Sequence, residues 1–425
     1  MSKPTPPQAS HSEQPTRVIL AGWGLVSPLG LGAWATFSSL LQGRTLSDRA
    51  GELPDDTAPV DLARALGCVA SVQHGHADPA VELAERAVRE AAGMANLPLE
   101  GLPLWLGTSK GAIAHVSQHL GLGRPITEDI AACLAMGPHA HMSHQLSRRL
   151  HTNAMGHHVA ACSSGLVALD AARRALLHAQ PDSTPYAMVA SADAAITPAL
   201  VYSYKRLGVL GEMTTKAYTQ RPLDERRHGF MLSEMGVAVL LKRVEADTPL
   251  PPNAIELTDT ATACEPHDII RSPGNMTSLA RLWQQVSADK TIDVIHPHAP
   301  GTREHDPAEL GVLLPTPSPD GTTHPPDLYA VKGAIGHSLG ASGLASLVVA
   351  AMSLRSGKRP PMPWLAEPMR LPAGPPLEVV PGMKSCSRSG THAVLAAGFG
   401  GHLAAAVLQG IGHGEAPPTP TRSQR

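Results

Sequence analysis

Residues 159–174 are Val-Ala-Ala-Cys-Ser-Ser-Gly-Leu-Val-Ala-Leu-Asp-Ala-Ala-Arg-Arg: a short apolar stretch, a cysteine and then a helix-like pattern. The small residues after Cys162 are typical of a helix start. We therefore expect the thiol at a helix N-terminus, where backbone N–H groups favour the thiolate. The thiolate is the form in which cysteine attacks as a nucleophile. The alternative is that Cys162 is an inert core residue, since most free cysteines behave as small hydrophobic side chains.

Two histidines far along the chain have unusual neighbours. His298 follows a strand-like run, and His337 stands between glycine and serine, five residues after Lys332. Glycines near a histidine suit a tight loop that directs the side chain into a cleft. Because the chain contains 22 histidines, a surface or core position is the simpler explanation for any single one of them.

The order and spacing of these segments resemble the β-ketoacyl-acyl-carrier-protein synthases, which are condensing enzymes of the thiolase fold. The family pattern is Ala-Cys-Ser/Thr-Ser, His-Gly-Thr-x-Thr-x-x-x-Asp, Lys-x-x-x-Gly-His and Gly-Phe-Gly-Gly, with an Arg-Pro-x-Asp…Gly-Phe loop. The matching segments are Ala161-Cys162-Ser163-Ser164, His298 to Asp306, Lys332 to His337, Gly398-Phe399-Gly400-Gly401, and Arg221-Pro222-Leu223-Asp224 to Gly229-Phe230. The resemblance covers about residues 17–409, nearly the whole chain.

The resemblance implies a five-layer αβαβα sandwich of two similar halves, and the alternation of strand-like and helix-like segments also favours an α/β class. A proline-rich break near residues 248–253 marks the predicted boundary. We expect an N-terminal half over 16–248 that carries Cys162, and a C-terminal half over 249–411 that carries both histidines. Residues 1–15 and 412–425 are expected to be disordered tails, since they contain few apolar residues.

The individual elements follow from local periodicity. The predicted strands are 17–21, 104–107, 186–191, 237–242, 255–257, 292–295 and 392–396. The predicted helices are 80–95, 163–178, 277–287 and 344–355. Gly22-Trp23-Gly24 after the first strand predicts a turn; it lacks the third glycine of a dinucleotide-binding loop.

The resemblance also implies roles for single residues. Cys162 would hold the acyl group, and the backbone N–H groups of Cys162 and Phe399 would form the oxyanion hole. His298 and His337, both neutral, would stabilise an enolate, while Lys332 would supply a fixed positive charge and could pair with Glu309. Further supporting residues are Thr302 and Gly400, and Lys110 and Phe399 stand where the family's acyl pocket begins.

The implied activity is decarboxylative Claisen condensation of malonyl-acyl-carrier protein with the acyl group on Cys162, in fatty-acid, polyketide or specialised lipid synthesis. It needs no cofactor beyond the phosphopantetheine of the carrier protein. Two alternatives remain open. One is a cysteine acyltransferase that does not condense, and the other is a non-catalytic chain-length partner subunit in a heterodimer. Such partner subunits typically lack the cysteine.

Some residues depart from the family pattern or have two interpretations. Pro300 replaces a threonine that usually binds the pantetheine arm, and Lys110 replaces an apolar residue. Lys110 either extends its charge to solvent or indicates a polar, short or unusual acyl chain. Tyr204-Lys205-Arg206 resembles a carrier-protein contact, so Lys205 and Arg206 are candidate docking residues, although a solvated basic pair is the simpler interpretation. Relatives are two-fold dimers, so we expect a homodimer or a pairing with a similar chain.

Composition limits the remaining possibilities. The chain is 43% hydrophobic and 16% charged with a formal net charge of −2, which gives no reason to expect nucleic acid as a partner. Five cysteines without metal-ligand spacing favour reduced thiols in the cytoplasm. No metal is expected at His296, His298 and His305, because Pro297 interrupts the set. The longest apolar run, near 343–354, is predicted to be too short for a membrane span.

Overall fold

The computed structural model describes most of the chain. The described residues are 16–49, 57–69, 78–121, 126–211, 220–265, 274–314, 325–371 and 377–412. The predicted tail 1–15 and all but the first residue of the predicted tail 412–425 lie outside them.

The described residues form thirteen strands and twelve α-helices. The strands are β1 (Thr16–Ser27), β2 (Gly30–Leu31), β3 (Pro103–Gly107), β4 (Asn153–His158), β5 (Tyr186–Asp193), β6 (Met235–Glu245), β7 (Ile255–Cys264), β8 (Val294–His296), β9 (Asp327–Leu328), β10 (Lys358–Arg359), β11 (Lys384–Ser385), β12 (Thr391–Gly398) and β13 (His402–Gly410). The helices are α1 (Ala33–Leu41), α2 (Pro59–Gly67), α3 (Pro79–Met94), α4 (Ile113–Gly121), α5 (Glu128–Met136), α6 (Pro138–Leu150), α7 (Ser164–Leu177), α8 (Pro198–Arg206), α9 (Thr277–Ser287), α10 (His305–Leu313), α11 (Lys332–Ile335) and α12 (Ser342–Ser356).

One mixed sheet runs through both halves of the chain in the order β4-β3-β5-β6-β1-β7-β13-β12-β8-β9, with β2 paired to β1. The first five strands lie before residue 248 and the last five after it. A single antiparallel pair, Ile19 with Glu256, connects β1 to β7. The two sets of strands are therefore separate along the sequence but continuous in the sheet.

Helices cover these strands in layers. Helices α7 and α12 contact strands of both sets, whereas α3 packs on β1, β5 and β6, and α9 packs on β7 and β13. Alternate residues of the first set face different cores: Leu104 and Leu106 pack with α3, while Trp105 packs with α7. The layers follow the order α3, first strands, α7 with α12, second strands, α9. This is the predicted α/β sandwich.

Strand β1 is longer than predicted, and the predicted turn at Gly22-Trp23-Gly24 is wrong. Both glycines lie inside β1. A Cβ on Gly22 would lie 2.1 Å from the carbonyl oxygen of Ala91, and a Cβ on Gly24 would lie 2.1 Å from that of Ala87. These glycines are needed because α3 packs directly on the strand backbone, a use of glycine that local periodicity does not reveal.

The break near 248–253 lies between the end of β6 and the start of β7. One apolar core contains residues from both sides of it, so the boundary at 248 stays a prediction. The apolar run near 343–354 is longer than predicted: Leu339–Ser356 is long and apolar enough to cross a membrane by length and composition. However, 89% of that stretch is buried inside the protein, which is typical of a core helix.

Candidate active site

The predicted nucleophile lies in a tight turn just before α7. Residues Ala161–Ser163 form a 3₁₀ turn, so the helix begins one residue later than predicted. Ala161 has a φ of 47°, in the left-handed region that non-glycine residues rarely adopt. The Ser164 hydroxyl accepts the Ala160 N–H at 2.8 Å and donates to the Ala161 carbonyl at 2.7 Å. These bonds hold the turn and fix the position of the thiol.

The protonation state of Cys162 differs from the prediction. Its side chain is only 6% exposed, and burial raises the pKa of the thiol to about 12, although the nearby Lys332 acts to lower it. The expected stabilisation of a thiolate at a helix N-terminus is therefore wrong for this structure, since desolvation outweighs it. The thiol is protonated near neutral pH and must lose its proton as it attacks.

One backbone N–H group of the predicted oxyanion hole lies at this sulfur. The Phe399 amide bonds to the thiol of Cys162. The preceding residue, Gly398, packs so closely that a Cβ there would lie 2.9 Å from the Cys162 nitrogen. Gly400 follows with a φ of 82°, which turns the chain back into β13. The position of Phe399 therefore depends on the glycines on either side of it, Gly398 and Gly400.

The first predicted histidine is buried in the loop after β8. Its backbone N–H donates to Glu309 Oε1 at 2.6 Å, and the N–H of Ala299 donates to Glu309 Oε2 at 2.8 Å. Lys332 Nζ donates to the carbonyl oxygen of His298. The ring Nδ1 of His298 is buried with no hydrogen-bond partner within the described residues. The backbone of His298 is thus held on both sides, while its ring Nδ1 is left without a partner among these residues.

The charge of Glu309 acts to raise the pKa of Lys332, so the two predicted partners interact electrostatically. Within the described residues they form no direct ion pair, since Glu309 is occupied by two backbone amides and Lys332 by a carbonyl oxygen. The predicted fixed charge on Lys332 also needs correction, because burial lowers the pKa of this lysine to about 8. Its ammonium group begins to lose its proton just above neutral pH.

The second predicted histidine faces the first. The ring centroids of His298 and His337 are 5.4 Å apart, and His337 also contacts the ring of Phe230 edge-on at 4.8 Å. The Nδ1 of His337 lies 2.7 Å from the hydroxyl of Ser342. Burial, reinforced by the charge of Lys332, holds the pKa of both histidines well below the ordinary value. Both rings are neutral, as the resemblance implied.

Loops from both halves bring the cysteine and the histidines together. The 3₁₀ turn of Cys162 packs against the turn Leu339–Ala341, which begins two residues after His337, and against β12. Asp193 connects the same region: its buried carboxylate accepts the N–H groups of Ser109, Lys110 and Gly340 at 2.8–2.9 Å. Asp193 was missed in the sequence because a single aspartate after a strand has no distinctive pattern.

The remaining predicted residues lie around this centre. Lys110 is half-buried, and its positive charge acts to lower the pKa of Cys162, so the structure does not favour a purely solvated lysine. Thr302 is half-buried and accepts the His305 N–H at 3.3 Å. Lys205 and Arg206 are exposed at the end of α8. Tyr204, quoted with them as one surface motif, instead points inward and is only 4% exposed.

Two further residues of this centre were missed in the sequence. Ser342 contacts His337, and its place five residues after that histidine, at the start of α12, could have indicated the contact. Phe230 belongs to the quoted Gly229-Phe230 pair, but the motif gave no reason to place it against His337. Within the described residues, no group of three or more His, Cys, Asp or Glu side chains is placed to hold a metal ion.

Comparison with known proteins matches both halves of the chain to one family. The model of the β-ketoacyl synthase N-terminal domain matches residues 16–247, and the model of the β-ketoacyl synthase C-terminal domain matches residues 258–365. An oxytetracycline polyketide β-ketoacyl synthase 1 of Streptomyces rimosus is 25% identical over 92% of this chain and 96% of that protein. The tetracenomycin polyketide synthase ketoacyl synthase alpha subunit of Streptomyces glaucescens is 27% identical over 62% of this chain and 60% of that protein.

Solved structures show the same fold. The ishigamide ketosynthase/chain length factor superposes with a TM-score of 0.70 at 21% identity, covering 94% of this chain and all of that one. A type II PKS acyl-carrier protein in complex with its ketosynthase gives a TM-score of 0.74 at 18% identity, with the same coverage. At these identities the structures establish the fold alone, and they confirm the predicted thiolase-like sandwich.

Proposed function

Because the chain belongs to the β-ketoacyl synthase family, we propose that it is an active condensing enzyme that extends an acyl group held on Cys162 with a malonyl unit. The observation that supports this most strongly is the meeting of Cys162, His298 and His337 with a buried lysine at the junction of the two halves. The first step is acyl transfer. Cys162 Sγ bonds to the carbonyl carbon of an acyl thioester, and the thiol proton leaves with the departing pantetheine sulfur. The N–H groups of Cys162 and Phe399 stabilise the oxyanion of this step.

The second step is decarboxylative condensation. The malonyl carboxylate leaves as CO₂, and the electron pair of the broken C–C bond forms an enolate at the thioester carbonyl. Neutral His298 and His337 donate hydrogen bonds to that oxygen, and the charge of Lys332 stabilises it further. The carbanion attacks the acyl group on Cys162, the C–S bond breaks, and the sulfur takes a proton from solvent, so that one proton is consumed for each CO₂ released. The product is a β-ketoacyl thioester two carbons longer, and no step needs a metal, nucleotide or flavin.

The expected partners follow from this chemistry and from the relatives. An acyl carrier protein delivers both substrates, and we propose that Lys205 and Arg206, which are exposed at the end of α8, contact its acidic surface. The relatives named above are polyketide synthase components, so we propose polyketide synthesis as the setting. One solved neighbour is named as a ketosynthase/chain length factor, which supports pairing with a similar chain; a homodimer is the alternative.

A chain-length partner subunit is the second candidate, and the family fold supports it equally. The intact cysteine and histidines argue against it, since such a subunit needs none of them. A cysteine acyltransferase remains a third candidate because of Pro300 and Lys110.

Two measurements separate the candidates. The protein is incubated with acyl-carrier protein, and its intact mass is compared with that of Cys162→Ala. An adduct on the wild type alone supports acyl transfer and contradicts the partner subunit. Release of CO₂ from malonyl-carrier protein is then measured for the wild type, His298→Ala and the exposed-site control His178→Ala. Loss of CO₂ release only in His298→Ala supports condensation, whereas an adduct without CO₂ release in the wild type supports the acyltransferase.

A further inference from the structure

A third histidine lies at the candidate active site. The ring of His305 meets the ring of His298 edge-on, with the centroids 5.1 Å apart and 75° between the planes. The same ring of His298 meets that of His337 at 5.4 Å, also at 75°. The family pattern leaves position 305 unspecified, since it is the last of three variable positions before Asp306. His305 is therefore a feature of this chain that the motif alone could not identify.

The ring of His298 depends on such contacts for its orientation. Within the described residues its hydrogen bonds are made by the backbone: the N–H donates to Glu309, and the carbonyl oxygen accepts from Lys332. The ring Nδ1 is buried without a partner among these residues. Backbone bonds fix where the side chain begins, but they leave rotation about its own single bonds to packing. The neighbouring rings therefore set the plane of the His298 ring.

The position of His305 is itself well defined. It is the first residue of α10, and its backbone N–H donates to the hydroxyl of Thr302 at 3.3 Å. Its Nε2 lies 3.6 Å from Glu309 Oε2, one helical turn later, and its side chain is only 12% exposed. The other oxygen of the same carboxylate accepts the backbone N–H of His298 at 2.6 Å. Glu309 thus lies against both the ring of His305 and the backbone of His298.

The ring of His305 matters more here than its charge. Burial and then the charge of Lys332 are the main causes that hold the pKa of His298 well below its ordinary value, and His305 acts in the same direction less strongly. His298 would therefore stay neutral without it. Loss of His305 would instead remove one of the two ring contacts described for His298.

We propose that His305 is a positioning residue whose ring holds the ring of His298 in the plane from which it donates a hydrogen bond to the enolate oxygen. This inference rests on the proposed function. The enolate forms only in decarboxylation, whereas acylation of Cys162 uses the backbone N–H groups of Cys162 and Phe399. Loss of the ring contact should therefore slow CO₂ release and leave acylation unchanged.

The test follows both steps for the wild type, His305→Ala, His305→Phe and the control Arg303→Ala, which changes an exposed residue of the same loop. Acylation of Cys162 by acyl-carrier protein is followed by intact mass, and CO₂ release from malonyl-carrier protein is measured per acylatable Cys162. We expect the kcat of CO₂ release to fall about tenfold in His305→Ala, with KM changed by less than about twofold. His305→Phe restores a ring without the nitrogens, so its kcat should stay close to that of the wild type, as should that of Arg303→Ala.

The possible outcomes are distinct. Unchanged CO₂ release in His305→Ala, an equal fall in His305→Phe or Arg303→Ala, or a parallel fall in acylation overturns the role of the ring and leaves the proposed function standing. Absence of CO₂ release from the wild type overturns the proposed function, and this inference with it. Because CO₂ release is counted per acylatable Cys162, unfolded protein does not alter it. If His305→Phe fails to fold, the comparison of His305→Ala with Arg303→Ala decides by itself.

Discussion

The carboxylate of Glu309 accepts the backbone amide of His298 at 2.6 Å, with both residues buried. The same carboxylate accepts the amide of Ala299, whose φ of 31° lies in the left-handed region. An acidic side chain therefore holds the strained loop that carries the ring of His298.

Replacing Glu309 should affect decarboxylation through this loop. In Glu309→Gln one of the two backbone amides loses its acceptor, and a charge-assisted bond of this kind contributes about 1.5–3 kcal/mol. We expect CO₂ release from malonyl-carrier protein to fall roughly 10- to 100-fold. The exposed Glu304→Gln, five residues earlier, should behave like the wild type. Normal CO₂ release by Glu309→Gln would show that the loop does not need this carboxylate.

The hydroxyl of Ser342 should orient the ring of His337. It lies 2.7 Å from Nδ1 and also accepts the Ser338 N–H at 2.9 Å. In Ser342→Ala, Nδ1 becomes a buried polar atom without a partner, and we expect decarboxylation to fall about tenfold. Ser346→Ala is the matched control, because Ser346 is buried one turn later on α12 and bonds only to a backbone carbonyl. Equal rates in the two variants would contradict this role.

Lys332 should make stability depend on pH in the alkaline range. Its pKa is about 8 in the folded protein against an ordinary value of 10.5, so between these values the unfolded chain holds a proton that the folded protein lacks. The free energy of unfolding due to this group therefore rises with pH from about 8 to 10.5, and the cost of the buried charge is fully present below pH 8.

Lys332→Met removes this titration. We expect the Tm of the variant, relative to the wild type, to be highest at pH 7.5 and to decline steadily as the pH is raised to 10. For the exposed Lys205→Met, the difference in Tm from the wild type should not change with pH. If the difference in Tm between Lys332→Met and the wild type stays constant or grows from pH 7.5 to 10, the buried lysine keeps its ordinary pKa. The variant should also lose decarboxylation, since the charge near the enolate is gone.

The sequence predicted which residues meet at the site better than it predicted their protonation states and hydrogen-bond partners. Cys162, His298 and His337 lie in motifs that keep the family's order along the chain, although Pro300 and Lys110 depart from the family pattern. The resemblance therefore identified these three residues. The pKa of Cys162 could not be predicted, because it depends on burial by β12 and by the turn after His337, which are distant along the chain. The same holds for Glu309, whose bonding partners depend on how the loop after β8 folds.

The helices and strands likewise divide into those that the local sequence predicts and those that depend on packing against other elements. Helix α9 was predicted to the residue, since its periodicity is complete and local. Strand β1 extends beyond the prediction because Gly22 and Gly24 serve the packing of α3, and the inward direction of Tyr204 depends on which face of α8 meets the core. Each of these depends on a partner element that the local sequence does not contain.

Whether this chain extends an acyl group by itself is shown by the mass of the acyl chain formed when the protein, purified alone, receives first acyl-carrier protein and then malonyl-carrier protein. We expect a β-ketoacyl chain two carbons longer than the one supplied, and none from Cys162→Ala. If the wild type alone gives no extended chain and carries no adduct, yet extension occurs once a separate ketosynthase is added, the protein is a partner subunit and the account is wrong.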